Sequence, residues 1–113
     1  MANSFKNKKV DLTTTDNTTL YTVPTATTTV IKSILVSDDS GSGTTIDVTL
    51  VNSSSAIFSL FKSKSISGNA TTELLTQPLV MEESEVLKVQ SGYANRLHVI
   101  ASILEIRPRE VTT

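Results

Sequence analysis

The sequence predicts a single all-β domain, an antiparallel β-sandwich of the jelly-roll type with about eight strands. Threonine and serine are abundant, and β-branched threonine is favoured on a half-exposed pleated surface. Short apolar segments alternate with turn residues, and no window has the period of an amphipathic helix. The 113 residues suffice for one domain with a core and are too few for two ordinary domains.

The N-terminal segment differs in composition from the remainder of the chain. Residues 1–18 are polar with scattered apolar side chains, which predicts an extended N-terminal arm or an edge strand. The β-sandwich domain is then expected over residues 19–108. The polar residues 109–113 are expected to form a flexible tail.

The first two strands of the domain are bounded by a proline and by a turn-rich segment. A strand over residues 19–23 should end at Pro24, because proline cannot donate to a sheet ladder. The aliphatic segment 29–37 predicts a second strand. It is followed by DDSGSG (38–43), whose aspartate, serine and glycine residues are typical of a turn.

The clearest alternation of apolar and polar residues lies in TTIDVTLVN (44–52). One face of this strand should therefore be buried and the other solvated. Only a few polar residues separate it from AIFSLFKSK (56–64), a spacing typical of a hairpin, so the two strands are predicted to be antiparallel neighbours.

The C-terminal half predicts three further strands. LVME (79–82) is short, and EVLKVQS (85–91) follows a turn. SGYAN (91–95) has the composition of a hairpin loop. It leads into the longest apolar segment, residues 96–107, which Pro108 ends.

Several of these strands have apolar residues on both faces, which a two-layer sandwich cannot cover by itself. One explanation is that the N-terminal arm or a loop folds over the second face. The other is a subunit interface in a homo-oligomer, a dimer or trimer. The residues assigned to this oligomer face are Ile100, Leu104, Ile106, Ile57 and Phe61.

The sequence predicts no enzyme and no catalytic, cofactor or metal site. The single histidine, His98, lies inside the last strand, without the partners that acyl transfer needs. The glutamates of segment 82–85 lie at a predicted turn, where a solvated acidic loop is expected instead of an acid–base pair. Asp38 and Asp39 lack the ligand spacing of a calcium-binding EF-hand loop. The chain has no cysteine, which excludes disulfides and thiolate chemistry.

Charge and hydropathy predict the partners and the compartment. Ten basic and eleven acidic residues give a net charge of −1, so nucleic-acid binding is not expected. No segment has the length of a signal peptide or a membrane span, so we expect assembly in a cytoplasm and no membrane partner. With 4% aromatic residues, a stacking platform for sugars or bases is not expected. A small-molecule substrate is not expected either.

Two segments resemble a known family. FKNKKVDLTTTDNTTLYTVPTATTTVIKSILVSD (5–38) and QPLVMEESEVLKVQSGYANRLHVIASILEI (77–106) are similar to the opening arm-and-strand and the closing hairpin of small virion structural proteins of tailed bacteriophages, especially marine and cyanobacterial phages. Together they span over half of the chain. The resemblance implies a β-sandwich on the capsid surface that decorates and stabilises (cements) the shell, bound to the major capsid protein or another virion protein.

The resemblance leaves two alternatives open: a neck, tail or fibre-attachment component of the virion, and a β-sandwich module that binds a host glycan. For the cement function, the N-terminal arm is expected to dock on the shell, so that deleting residues 1–12 abolishes particle binding and leaves the fold intact. Tyr93, at a loop tip, is a candidate partner contact. The arm residues expected to contact the shell are Phe5, Lys6, Lys8, Lys9 and Val10.

Overall fold

The computed structural model describes residues 2–107, and this range folds into β-strands without a helix, so it contains no helix that could cross a membrane. The all-β prediction is confirmed. The predicted flexible tail (109–113) lies outside the described residues. The strands are β1 (Ala2–Leu12), β2 (Thr18–Thr22), β3 (Thr28–Asp38), β4 (Thr44–Val51), β5 (Ile57–Ile66), β6 (Thr71–Glu73), β7 (Leu79–Met81), β8 (Val86–Ser91) and β9 (Leu97–Arg107).

The strands form two antiparallel sheets. Sheet A has the order β1-β9-β3-β6, with β7 also paired to β3, and sheet B has the order β2-β8-β4-β5. The pairs β1–β9, β2–β8, β3–β6/β7 and β4–β5 are nested, as in one long hairpin rolled into two layers. This strand order is that of a jelly roll. The short strands β6 and β7 together occupy the position of a single strand beside β3.

A glutamate fills the gap between β6 and β7 along the edge of β3. The carboxylate oxygen Oε2 of Glu73 accepts hydrogen bonds from the backbone amides of Ile34 (2.9 Å) and Leu75 (3.1 Å). Burial raises the pKa of Glu73, but hydrogen bonds from Ser33 and these two amides outweigh it, so this pKa lies below its ordinary value. Glu73 thus satisfies the part of the β3 backbone that neither short strand reaches.

The core lies between the two sheets and follows from the alternation in each strand. In β4, Ile46, Val48 and Leu50 point inward, as the sequence predicts, while the residues between them face solvent. In β9 the same alternation buries every second residue from Leu97 to Glu105. The largest fully buried side chains are Leu12, Ile31, Ile34, Ile46, Ile66, Met81, Leu87, Leu97, Ile103, Val23, Val36 and Val48.

Two expectations about connections are decided by the topology. The predicted hairpin around SGYAN (91–95) is wrong, because β8 pairs with β2 and β4 in sheet B whereas β9 belongs to sheet A, so the loop crosses between sheets. The N-terminal segment is an edge strand and not a detached arm. β1 pairs with β9 along its whole length, from Ala2 opposite Arg107 to Leu12 opposite Leu97.

Candidate interaction surface

The outer face of sheet A carries a continuous row of apolar side chains, called here the apolar row. Phe5 lies opposite Leu104, Leu104 opposite Val30, and Val30 opposite Val80. Directly opposed residues of an antiparallel pair point to the same face, so the row spans four neighbouring strands. Phe5 is 76% exposed and Val80 is 58% exposed. This row is the largest apolar feature that the register of sheet A places on one surface.

A second row on the same face combines two aliphatic residues with opposite charges at its ends and is called here the mixed row. Lys9 lies opposite Ile100, Ile100 opposite Leu35, and Leu35 opposite Glu73. Ile100 and Leu35 are 40% and 37% exposed. The row therefore runs from a cation on β1 to an anion on β6, with apolar side chains between them.

Polar residues separate the two rows. Ser102 of β9 lies opposite Asn7 on one side and Ser33 on the other. The β-bulge in β3 at this level places the exposed Lys32 near Phe5 and Asn7, around a shallow groove of about 310 Å³. One lysine thus lies between the apolar and mixed rows.

The corresponding face of sheet B is polar over most of its area. Thr19 lies opposite Lys88, Lys88 opposite Thr49, and Thr49 opposite Ser59, so a polar row crosses all four strands of this sheet. The next outward residues, Asp47 and Gln90, are also polar. The two outer faces of the sandwich therefore differ in chemistry although the same alternation builds both.

The apolar face of sheet A has no cover within the described chain. β1 extends this sheet at its edge through pairing with β9 and does not fold over it. Leu35 and Ile100 on this outer face remain partly exposed, and Phe5 and Val80 are more than half exposed. The expectation that the arm or a loop covers the second apolar face is therefore wrong for this part of the chain.

The residues assigned to the oligomer face do not all lie together. Ile100, Leu104 and Ile106 share the outer face of sheet A. Ile57 is 69% exposed at the start of β5 and lies on the outer face of sheet B, opposite Val51. Phe61 is partly buried and packs against the core. Only the β9 residues therefore contribute to one surface.

The residues assigned to the arm also divide between two faces, because they alternate along β1. Phe5 and Lys9 point outward with the apolar and mixed rows, whereas Lys6, Lys8 and Val10 lie in register with inward residues of β9. Val10 is partly buried against the core. Deleting residues 1–12 would remove an edge strand and the buried Leu12, so we no longer expect the fold to survive this deletion intact.

A buried polar cluster fixes β1 and β2 to β9 and was not found in the sequence. The Tyr21 hydroxyl donates to Glu105 Oε2 at 2.6 Å and lies 2.7 Å from Thr29 Oγ1. Lys6 Nζ lies 2.9 Å from Glu105 Oε1. The signal in the sequence was the alternation of β9, because Glu105 continues the inward positions that Leu97, Val99, Ala101 and Ile103 occupy.

The surroundings of Glu105 favour its charged form. Burial raises the pKa of Glu105, but the hydrogen bond from Tyr21 and the hydrogen bond and charge of Lys6 outweigh it, so this pKa lies below its usual value. Burial and the adjacent Glu105 raise the pKa of Tyr21. The cluster is therefore a carboxylate held by a neutral hydroxyl and a lysine.

Tyr93 lies in the loop between β8 and β9, at the end of the sandwich where β9 begins. Its ring is exposed, and the Arg96 guanidinium lies over it, 4.0 Å from the ring centroid. Arg96 also donates to the carbonyl oxygen of Gly43 at 2.8 Å. One face of the Tyr93 ring is therefore covered by Arg96.

His98 and the acidic segment 82–85 do not meet. His98 Nε2 lies 3.3 Å from Asp11 Oδ1, and the groove beside it is lined by residues of β1 and β9 alone. The glutamates lie at the turn between β7 and β8, near the other end of β9. The structure therefore forms no acid–base pair from His98 and these glutamates.

Asp38 organises the DDSGSG turn. Its Oδ1 accepts hydrogen bonds from the Ser40 amide, the Ser40 hydroxyl and the Gly41 amide, at 2.7 to 3.0 Å. Burial raises the pKa of Asp38, but the hydrogen bonds from Ser40 and Gly41 outweigh burial, so this pKa lies below its ordinary value. Among residues 2–107 there is no group of three histidine, cysteine or acidic residues that could hold a metal ion.

The outer face of sheet A is thus the candidate functional surface, because it carries an apolar row that crosses the sheet and that the described chain leaves uncovered. Comparisons with protein-family models, with curated proteins and with solved structures find no match.

Proposed function

We propose that this chain is a non-enzymatic structural protein of a virion, which decorates and stabilises the outside of a phage capsid. The single observation that supports this most is the uncovered apolar row across sheet A, since contiguous apolar patches on soluble domains mark interaction sites. The location in a virion is proposed from the resemblance of segments 5–38 and 77–106 to phage virion proteins.

The chemistry of the surface favours assembly over catalysis. A flat sheet face offers area and shape to another flat surface, whereas catalysis needs converging reactive groups in a cleft. Binding of the folded state by a partner stabilises that state by mass action. A small domain with an uncovered apolar face is therefore suited to a large assembly, where its partner is present at high local concentration.

The shell contact is proposed to lie along the free edge of β1. This strand pairs with β9 on one side only, so alternate backbone amides and carbonyls face outward on the other side. The exposed Lys8 is directed away from the apolar and mixed rows, because it shares the inward phase of Ala101. An acidic surface on the shell would complement this edge.

The location is tested by counting copies in purified virions with quantitative mass spectrometry. Decoration predicts a copy number close to that of the major capsid protein. A few copies per particle would support a neck, tail or fibre-attachment component instead. Absence of the chain from the particle would overturn the virion assignment altogether.

The shell contact is tested by charge reversal on purified particles stripped of the protein. Lys8→Glu should reduce rebinding, because it reverses the charge on the proposed edge. Lys88→Glu is the matched control, since Lys88 lies in the polar row of sheet B. Equal rebinding of both variants and the unchanged protein would exclude the β1 edge.

The glycan-binding alternative receives no support from the placement of the aromatic residues. Sugar recognition commonly uses an exposed ring beside polar loop groups, but Tyr93 already stacks with Arg96. Phe5 lies among aliphatic residues on the outer face of sheet A, and Phe58, although exposed, is in register with the core residue Leu50 and has no second aromatic ring opposite it. Specific binding on a glycan array would nevertheless revive this function.

A further inference from the structure

We propose that the outer face of sheet A binds a second copy of this chain, face to face, about a two-fold axis that runs parallel to the strands between β9 and β3. This inference deepens the proposed assembly function, because it names the occupant of the apolar face. The virion shell then contacts a different part of the chain.

The strand order makes such an arrangement self-complementary. The axis lies at the middle of the order β1-β9-β3-β6/β7. Rotation about it places β1 over β6 and β7 of the second copy, and β9 over β3 of the second copy. Each row across the sheet is thereby brought onto the same row of the other copy, as an isologous interface requires.

The apolar row matches itself under this rotation. Phe5 comes to lie over Val80 of the second copy, and Leu104 over Val30 of the second copy. All four positions of the row are apolar, so no polar group is buried without a partner at this level. The two most exposed members, Phe5 and Val80, become covered together.

The mixed row adds charge complementarity. Ile100 comes to lie over Leu35 of the second copy, and Lys9 over Glu73 of the second copy. The cation and the anion lie at opposite ends of the row, so the rotation brings unlike charges together at both edges of the interface. An arrangement in which the second copy is turned end to end along the strands would not place each row over the same row of the other copy.

The size of the face is adequate for a dimer. With strands about 4.8 Å apart and a rise of about 3.4 Å per residue, four strands over about ten residues give roughly 650 Å² per copy. A standard-size interface buries about 800 Å² per partner. The outer face of sheet A therefore approaches the area of stable protein–protein contacts.

The sheet edges are less suitable for contact between copies. Antiparallel pairing of two β1 strands would bring Lys6, Lys8 and Lys9 of both copies close together. On the other side, the edge strand β5 contains Lys62 and Lys64 and is interrupted by two register shifts. Lysines and bulges on edge strands oppose edge-to-edge association, which leaves the outer face of sheet A.

One residue opposes the dimer and supplies a further test. Lys32 lies between the two rows, close to the axis, so the rotation brings it near Lys32 of the second copy. Like charges in an interface lower its affinity. Lys32→Ser should therefore strengthen the dimer, a result that no shell-binding role of this face predicts for the isolated protein.

Sedimentation velocity of the purified full chain tests the proposal. The unchanged protein should be a dimer at micromolar concentration. Ile100→Glu should be a monomer, because it places a charge between sheet A of one copy and sheet A of the second copy. Thr49→Glu, at an equivalent outward position of sheet B, should remain a dimer. Circular dichroism spectra of all three proteins should agree, which shows that they are folded.

Charge variants test the register without removing apolar surface. Lys9→Glu places like charges against Glu73 of the second copy and should weaken the dimer about tenfold. Lys8→Glu, on the neighbouring residue of the same strand, should leave the dimer unchanged. Equal effects of the two variants would overturn the proposed register, and Lys32→Ser keeps the test valid if Ile100→Glu fails to fold.

Failure of this inference and failure of the virion function give different results. A monomer at all concentrations, or a dimer that Ile100→Glu leaves intact, overturns the inference. If such a monomer still binds particles and Ile100→Glu abolishes that binding, the shell is the occupant of the face. A dimer with the expected variant effects supports the inference even if mass spectrometry finds no copy of the chain in virions.

Discussion

The two outer faces of the sandwich are built by the same alternation and differ in what they expose. The polar row of sheet B carries hydroxyl groups and a lysine, as expected of a solvated face, whereas the apolar row of sheet A carries phenylalanine, leucine and valine. Both sheets contribute their inner faces to one core. Folding therefore accounts for the inner faces, and the outer face of sheet A is the surface for which we propose a partner.

The contrast has one exception at the end of sheet B. Ile57 lies opposite Val51, and Val51 lies opposite Val86, so a short apolar row also occurs there. It ends at Thr22 of β2. The lesson is that contiguity across a whole sheet, and not the exposure of single residues, distinguishes the two faces.

The largest expected difference in stability is between variants at two adjacent residues of β9 that lie on opposite faces of sheet A. Ile103 is buried, and Ile103→Ala should lower the free energy of unfolding by about 2–5 kcal/mol, from lost burial and the cavity. Leu104→Ala, on the outer face, should cost about 1 kcal/mol or less in the monomer and should weaken association. Urea unfolding at low protein concentration measures both. Equal losses would show that the outer face is also part of the folding core.

A smaller effect is expected where β1 is attached to β9. Glu105→Gln keeps an acceptor for Tyr21 but removes the negative charge beside Lys6, and should cost about 1–3 kcal/mol of stability. Because the contact between Glu105 and Lys6 attaches β1 to β9, loss of the charge should also make hydrogen exchange of the β1 amides faster. Glu83→Gln, at an exposed turn, is the control and should change stability by less than about 0.5 kcal/mol. Unchanged exchange in the Glu105 variant would contradict the attachment.

The pH dependence follows from the same carboxylates. The pKa values of Glu105, Glu73 and Asp38 are lower in the folded protein than their ordinary values. Such groups stabilise the fold at pH values above their unfolded pKa, about 4, and this contribution is lost as the pH falls through the folded pKa. Stability should therefore be level between about pH 5 and 8 and fall below about pH 4. Denaturation curves of Glu105→Gln should show a shallower fall; an identical fall would exclude a role for Glu105.

The smallest effect is expected at the loop end of the sandwich. Tyr93→Ala removes the exposed contact with Arg96 and should cost about 0.5–1 kcal/mol. It should leave the dimer unchanged, because the loop lies away from the outer face of sheet A. Thermal unfolding and sedimentation measure the two quantities. Loss of the dimer in this variant would place the interface at the loop and not on the sheet.

The local patterns of the sequence were sufficient for the fold class and most strand positions. The alternation over residues 44–52 identified the buried face of β4, and turn residues bounded β2 and β3. The apolar residues on both faces of segment 96–107 identified a surface that the sandwich leaves uncovered. These features depend on neighbouring residues alone, which is why the sequence contains them.

Long-range pairing could not be predicted in the same way. The 91–95 turn has the composition of a hairpin loop, and local residues do not distinguish a hairpin from a loop that crosses between sheets. Ile57 and Phe61 have the same parity, but an extra residue, Leu60, in the bulge of β5 sends them to opposite faces. The Tyr21–Glu105 hydrogen bond joins residues that are distant in sequence. Each of these three features depends on which strands pair or pack together, and local residues do not determine that.

The rate at which single introduced cysteines react with a maleimide tests the difference between the two outer faces most directly. The chain has no cysteine of its own, so Ile100→Cys reports on sheet A and Thr49→Cys on sheet B. We expect the thiol at position 100 to react slowly with a maleimide at high protein concentration and quickly after dilution, while the thiol at position 49 reacts quickly at both. Equal reaction rates at the two positions, independent of protein concentration, would contradict an interface on the outer face of sheet A.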